Sequence, residues 1–441
     1  MGQQVRYETI SSVAQAIRTQ AASDGGAVSD VEVHLSKLHD SFLARAEIKW
    51  TDADSHDHAA HVYEAYWAPL TEGRVTYWDT IKFLFAAAWD GLRYSLPFGP
   101  HMFGRWIFGG PKEMRIGRAT FLALICVLGF LVAQVAAIGF ALAELAREYK
   151  TVLAQPTPWV HLHELTSLEG WRTLLYDWFR WLGPFFPDHT VLIHGDSFSR
   201  AWWSALIKLV SWFLLIAEVL LARYFIVEYV GDVAAYISPY KDSKFDELRQ
   251  KIQKVGLDVG KVIYGFGLPN VAVPHYDKIV VVGHSLGSVL AYDTLNALIN
   301  FDNTSAPADQ RHVVRRTRAL VTFGSPLDKT AFIFRMQANS PQDWIREQLA
   351  ASVQPLILDY VRYRPIPPVV PPPGFEWFNI WSRMDIISGQ LNYYDDPALP
   401  PNRPPWLINQ PDPKAWIPLA AHVQYWTNPL LREQLYRFVT T

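Results

Sequence analysis

The sequence predicts an α/β fold: a mostly parallel sheet with helices on both faces, into which a transmembrane helical hairpin is inserted. Three observations predict it. Past residue 275, short apolar runs alternate with helical patterns, as parallel strands joined by crossover helices do. Thr120 to Ala143 is 24 residues without a charged side chain, the length that a bilayer core requires. Strand-like segments before residue 70 belong with those after 275, so the apolar run interrupts one domain rather than separating two.

Each element has its own reason. Residues 8–22 space their apolar positions as a helix does, and Leu43–Trp50 and His61–Trp67 are β-branched and aromatic with partial alternation. A polar turn, Asp52–His58, lies between those two segments. Arg115 and Arg118 bracket the uncharged run on one side, Arg147 and Lys150 on the other; a buried core helix is the alternative, but such helices are usually shorter. Leu206–Val227 is interrupted by Lys208, Glu218 and Arg223, and taken alone it fits a surface helix as well as a span. Parity decides: two parts of one domain on the same side of a membrane need an even number of crossings. The aromatic loop 145–205, with Trp171, Trp178 and Trp181, fits a membrane interface. Arg105, Lys112, Arg115 and Arg118 before the first span favour that side, and both termini, as cytoplasmic.

Beyond the second span, Lys244–Val262 reads as a surface helix and Lys278–Val282 as a strand buried on both faces. Ser288–Ile299 is helical, and Ala319–Phe323 and Phe375–Trp381 are further strands. Proline clusters at Pro365–Pro373 and Pro400–Pro413 are rigid connectors, with docking to a proline-binding module as the lesser reading. The expected division is residues 1–70 and 232–441 as one domain, with 71–231 as the membrane insertion.

Composition narrows the function classes. Lys and Arg number 40 against 42 Asp and Glu, so no charge excess points to nucleic acid. The single cysteine, Cys126, excludes an intrachain disulfide framework and cysteine-based zinc sites. Residues 1–30 lack the cationic-then-apolar layout of a signal peptide. No phosphate-binding glycine loop or internal repeat stands out, and no cofactor is expected.

The sharpest feature is Gly283-His284-Ser285-Leu286-Gly287, directly after the strand Ile279–Val282 and before a helix. A nucleophilic serine needs this setting: a tight strand-to-helix turn exposes its hydroxyl, and flanking glycines remove side chains that would clash. The Leu286 amide then faces a developing oxyanion. His284 is the variable residue of the motif and is not assigned as the base.

With these residues the chain resembles the α/β-hydrolase superfamily, in particular its lipase and esterase members. Thr322-Phe323-Gly324-Ser325-Pro326 is similar to the next strand end in many lipases. The resemblance implies an α/β-hydrolase fold and the order nucleophile, acid, histidine. Asp385 follows the strand Phe378–Trp381 and is the expected acid; Asp328, Asp395, Asp396 and Asp412 are the alternatives, Asp328 the best of them. Of the histidines only His422 follows Asp385, just before a helix from Pro429 to Val439, and it is the expected base. The second oxyanion donor of the superfamily sits on a loop after an earlier strand. Here Met1-Gly2-Gln3-Gln4 stands immediately before the first helix, where relatives of this kind would read like His-Gly-Met-Gly-Gln. Gly2 is therefore the expected second donor, with Met1 inside the oxyanion loop and a strand and a His-Gly pair upstream of it.

Weaker signals receive bland readings. His56, His58 and His61 beside Asp54 and Asp57 could ligate a divalent metal, but a solvated loop accounts for them. Glu218 and Arg223 could mark a polar membrane pathway, but contacts with a neighbouring helix are simpler. The sequence thus predicts an integral-membrane serine hydrolase with a cytoplasmic catalytic domain, cleaving an ester through an acyl-Ser285 intermediate. The anchor makes a lipid ester plausible by association and the bilayer a partner. The rival reading is an inactive hydrolase scaffold retained for binding.

Overall fold

The computed structural model describes residues 5–38, 41–52, 54–95, 231–237, 243–266, 276–336, 374–385, 387–391, 407–417 and 420–441, with a few single positions besides. The chain divides into two compact units, one of residues 1–126 and 227–441 and one of 127–226. The architecture below is that of the first.

Its N-terminal part is helix α1 (Glu8–Ser23) followed by strands β1 (Ala27–Val28), β2 (Glu32–Leu38), β3 (Ser41–Thr51) and β4 (Asp57–Tyr63). The four strands form an antiparallel sheet. Strand β4 lies along one edge of β3, with Ile48 opposite Ala60, while β2 and β1 follow each other along the other edge. Alternation sorts β3 cleanly. Ala46, Ile48 and Trp50 bury themselves against Ile10, Val13 and Ile17 of α1. Arg45, Glu47 and Lys49 face the other way, where Glu47 is paired by Arg45 at 2.7 Å and Lys49 at 2.8 Å.

After helices α2 (Tyr77–Ser95), α3 (Gly231–Ile237) and α4 (Ser243–Tyr264) comes the parallel sheet. It consists of β5 (Ile279–His284), β6 (Thr317–Phe323), β7 (Glu376–Trp381) and β8 (Leu407–Pro411), hydrogen-bonded in that order. Helix α5 (Leu286–Thr304) and the short α6 (Val313–Arg316) connect β5 to β6, and α7 (Leu327–Met336) follows β6. The single-turn α8 (Ala421–Gln424) and α9 (Pro429–Thr440) end the chain. The central strands are largely apolar because both of their faces are covered. Leu320 and Trp377 pack with Val289, Leu290 and Leu295 of α5 and Leu248 and Ile252 of α4. Val321, Phe323, Phe378 and Ile380 pack on the opposite side with α1, β3 and Leu431, Leu435 and Phe438 of α9. Ladder partners run Gly283–Thr322, Thr322–Asn379 and Asn379–Asn409. The carboxyl ends of all four strands therefore lie along one edge, where ligands of open α/β sheets bind.

Two expectations need correction. The transmembrane hairpin, and with it the integral-membrane placement with cytoplasmic termini, is overturned by the helices. Among the described residues no helix is long and apolar enough to cross a membrane. Helix α4 is amphipathic instead: it buries Phe245, Leu248 and Ile252 in the core but also carries Lys244, Asp246, Glu247, Lys251 and Lys254. Helix α2, which falls in the stretch assigned to the membrane insertion, carries Asp79, Lys82, Asp90 and Arg93. The segments 120–143 and 206–227, on which the hairpin rested, lie outside the described residues apart from isolated positions such as Ile125 and Val132. Second, the stretch Pro400–Pro413 is not all connector: Leu407–Pro411 forms strand β8.

Candidate active site

The site begins with a backbone problem. Strand β5 must turn into α5 within one residue, and Ser285 makes that turn at φ 53° and ψ −130°, a conformation that a side chain ordinarily avoids. The surroundings hold it there. The Ser285 amide donates to the Phe323 carbonyl at 3.0 Å, and the Ser288 amide donates to the Ser285 carbonyl at 2.9 Å. The Ser288 hydroxyl donates to the Ser285 carbonyl at 2.5 Å and shares a 2.7 Å hydrogen bond with Ser325 Oγ, tying the turn to the loop after β6.

The two motif glycines differ in what they permit. A Cβ on Gly283 would stand 2.4 Å from Ser288 Cα and 2.7 Å from the Gly287 carbonyl oxygen, so the close pass of β5 under α5 requires its absence. A Cβ on Gly287 would meet none of the described residues within 4 Å. Among the described residues, the expectation that both glycines relieve a clash therefore holds for Gly283 alone.

Ser285, His422 and Asp385 are brought together. The Ser285 hydroxyl is 2.7 Å from His422 Nε2, and His422 Nδ1 is 2.9 Å from Asp385 Oδ2. With Asp385 ionised, Nδ1–H donates to the carboxylate, which leaves Nε2 free to accept from the serine. Asp385 follows β7, and His422 sits in α8 after β8, so each of three strands contributes one member from its carboxyl end. All three side chains are buried.

Asp385 accepts two further bonds: from the Ile387 amide to Oδ1 at 2.9 Å and from the Tyr425 hydroxyl to Oδ2 at 3.0 Å. Burial alone would push its carboxyl up. The hydrogen bond and charge of His422, with the Ile387 and Tyr425 donors, outweigh burial and hold it at about 2. Tyr425 also shares a 3.1 Å hydrogen bond with Ser388 Oγ, and burial followed by the Asp385 charge pushes its own phenol up. The sequence reading missed Tyr425, although the signal was there: it stands three residues after His422, and residues so spaced on one helical turn share a face.

The alternative acids are used otherwise or lie out of view. Asp412 accepts from the Lys414 amide at 2.9 Å and from Asn428 Nδ2 at 2.7 Å, anchoring the chain on either side of α8. Asp328 accepts the Lys329 amide at 2.9 Å and packs so closely on Gly389 that a Cβ there would lie 2.3 Å from Asp328 Oδ2. Asp395 and Asp396 lie outside the described residues.

The acid loop is gripped from two sides that the sequence did not reveal. Lys329 Nζ donates to the carbonyls of Ile387 and Ser388 at 2.9 and 2.6 Å. Asn379 donates to the Gly389 carbonyl at 3.0 Å and to Asn409 Oδ1 at 2.8 Å, while accepting from Thr322 at 3.0 Å. Gly324, at φ 58°, closes the third side: a Cβ there would come within 3.2 Å of His284, His422 and Tyr425.

As first residue of α5, directly after Ser285, Leu286 has an amide with no intrahelical acceptor. Gly2, the expected second donor, lies outside the described residues. Of the histidine cluster, His58 bonds Asp52 at 2.9 Å, and His61 bonds Tyr276 at 2.8 Å with Glu47 at 3.4 Å. Among the described residues no group of three or more His, Cys, Asp or Glu side chains is arranged to hold a metal ion.

Comparison with known proteins returns nothing: no family model matches the chain, and no curated protein or solved structure is significantly similar to it.

Proposed function

We propose that this chain is a serine hydrolase of the α/β-hydrolase kind that cleaves a carboxylic ester. One observation carries the reading: the relay from Ser285 through His422 to Asp385, with both hydrogen bonds under 3 Å, on a strained strand-to-helix turn. Backbone strain at a non-glycine residue costs about 1–3 kcal/mol, and it is spent where it raises a hydroxyl toward an imidazole.

The chemistry follows from the roles. Ser285 Oγ attacks the ester carbonyl while its proton passes to His422 Nε2. The carbonyl oxygen gains the negative charge, and the Leu286 amide donates to it. The C–O bond to the alcohol breaks, the alkoxide takes the proton from His422, and acyl-Ser285 remains. Water, deprotonated by the same Nε2, then releases the acid and restores the serine. Asp385 holds the Nδ1–H tautomer and stabilises the imidazolium. A lipid substrate was expected only from the membrane anchor and loses its ground with it.

The test is labelling by a fluorophosphonate probe, whose phosphorus takes Ser285 Oγ as fluoride departs. The chain should label and Ser285→Ala should not. Absence of labelling in the parent chain would favour the rival reading of a scaffold retained for binding.

A further inference from the structure

His284, the variable residue of the motif, is held as tightly as any member of the relay. Its ring stacks on Phe323, with centroids 4.8 Å apart and planes at 26°. It lies 4.9 Å from the His422 ring and meets Trp426 edge-on at 5.3 Å. Its Nε2 is 2.9 Å from the main-chain carbonyl oxygen of His422. A carbonyl only accepts, so the His284 proton resides on Nε2. Burial first, and the neighbouring His422 second, push this imidazole down to about 3. It therefore remains neutral at physiological pH and does not compete with His422 for the serine proton.

The acceptor is the unusual part. The carbonyl belongs to the residue whose own side chain faces Ser285, and the donor is the residue immediately before Ser285. One hydrogen bond thus joins the backbone beneath the nucleophile to the backbone that carries the base. Among the described residues, this bond and the reacting one are the hydrogen bonds that join α8 directly to the nucleophile turn.

We infer that His284 is a positioning residue: by donating from Nε2 to the His422 carbonyl it sets the height and tilt of His422 over Ser285. The inference rests on the serine-hydrolase reading for its functional meaning. Its structural content, one donor fixing the base, is testable apart from that reading.

Two variants separate the donor from the ring. His284→Gln keeps an N–H near the Nε2 position; His284→Met fills similar space without one. Two readouts are followed: the imidazole N–H resonance of His422 bonded to Asp385, seen by NMR, and hydrolysis of p-nitrophenyl acetate. The expected result is that His284→Met broadens or loses the His422 resonance and lowers kcat by about tenfold or more with KM little changed, since small displacements of reacting groups act on the chemical step. His284→Gln should recover most of both. An unaltered His422 resonance in His284→Met, or equal losses in the two variants, would overturn the inference. If His284→Met fails to fold, an altered resonance in folded His284→Gln overturns it and a retained one supports it. Failure of the parent to hydrolyse or label would instead count against the hydrolase reading, and the resonance would still decide the role of His284.

Discussion

The two halves of the candidate site are built by different physics. On the nucleophile side, everything needed lies within eight residues, Ile279–Leu286: a half-buried strand, a glycine where the helix passes overhead, a serine forced to positive φ, and a helix start. On the acid and base side, almost nothing is local. Asp385 and His422 are 37 residues apart, and their loops are fixed by Lys329, Asn379, Asn409, Tyr425 and His284, drawn from four different strand ends. Short-range steric rules leave a mark in sequence; long-range hydrogen bonds do not. A change on the nucleophile side should act as an all-or-none defect of geometry. Changes on the other side should be graded by the number of bonds each residue makes.

The largest effect should come from Gly283→Ala. The added methyl would sit against backbone atoms of Ser288 and Gly287 at 2.4–2.8 Å, and backbone has no rotamer by which to yield. A cost of about 3 kcal/mol is expected, at the upper end of overpacking, together with loss of fluorophosphonate labelling. Gly287→Ala is the matched control. Its φ is not in the positive region and no described residue lies within 4 Å of its Cβ position, so it should fold with unchanged stability or gain about 0.5–1 kcal/mol, as alanine does over glycine within a helix. Equal thermal stability and equal labelling in both variants would break the comparison at its root.

Asp385→Asn comes next. The amide leaves the geometry nearly intact but favours the wrong His422 tautomer, so the labelling rate should drop by about three to four orders of magnitude. A second signature concerns pH. The Asp385 carboxyl stands at about 2 in the folded chain against an ordinary 3.8, so the unfolded state binds the proton more readily. The stability this confers is fully present above the ordinary value and fades as pH falls through about 2. It amounts to something on the order of 2 kcal/mol at neutral pH. Urea unfolding of parent and Asp385→Asn should therefore diverge at pH 6 and converge toward pH 2. Parallel stability curves across that range would show that the carboxylate is not held as described.

The same division explains what could be read beforehand. Ser285 was legible because Gly283 and the flanking strand and helix are short-range requirements. Asp385 and His422 were expected from the order that the resemblance implied, and within that order each follows a late strand and His422 alone among histidines comes after Asp385. Strand β8 was hidden by composition: Leu407–Pro411 is five residues among prolines, and Pro411 ends it where a missing amide is tolerated. Strand β2 was passed over because its alternation leads to solvent. Val33 is 75% and Leu35 70% exposed, so its apolar positions mark an edge strand rather than a core. The membrane hairpin failed for a complementary reason. It rested on one apolar run, which parity then multiplied into two, and among the described residues no helix is long and apolar enough to cross a membrane.

The smallest effect should belong to Tyr425→Phe, and it is the sharpest probe of how the graded side is graded. The phenol makes one hydrogen bond to Asp385 and one to Ser388, and its removal leaves the ring in place. The His422 and Ile387 donors to Asp385 remain, so the relay should survive with a labelling rate lower by about threefold to tenfold, the scale of a hydrogen bond worth about 1 kcal/mol. The sign of the pH effect is fixed by the direction in which the phenol acts. Its hydroxyl lowers the Asp385 pKa, so without it the carboxyl takes up its proton at higher pH, and acid unfolding should begin at higher pH than in the parent. Near-UV circular dichroism between pH 5 and pH 2 would read that shift. An acid transition that stays put while the labelling rate falls would mean that Tyr425 acts by orienting the loop through Ser388 rather than by stabilising the charge on Asp385.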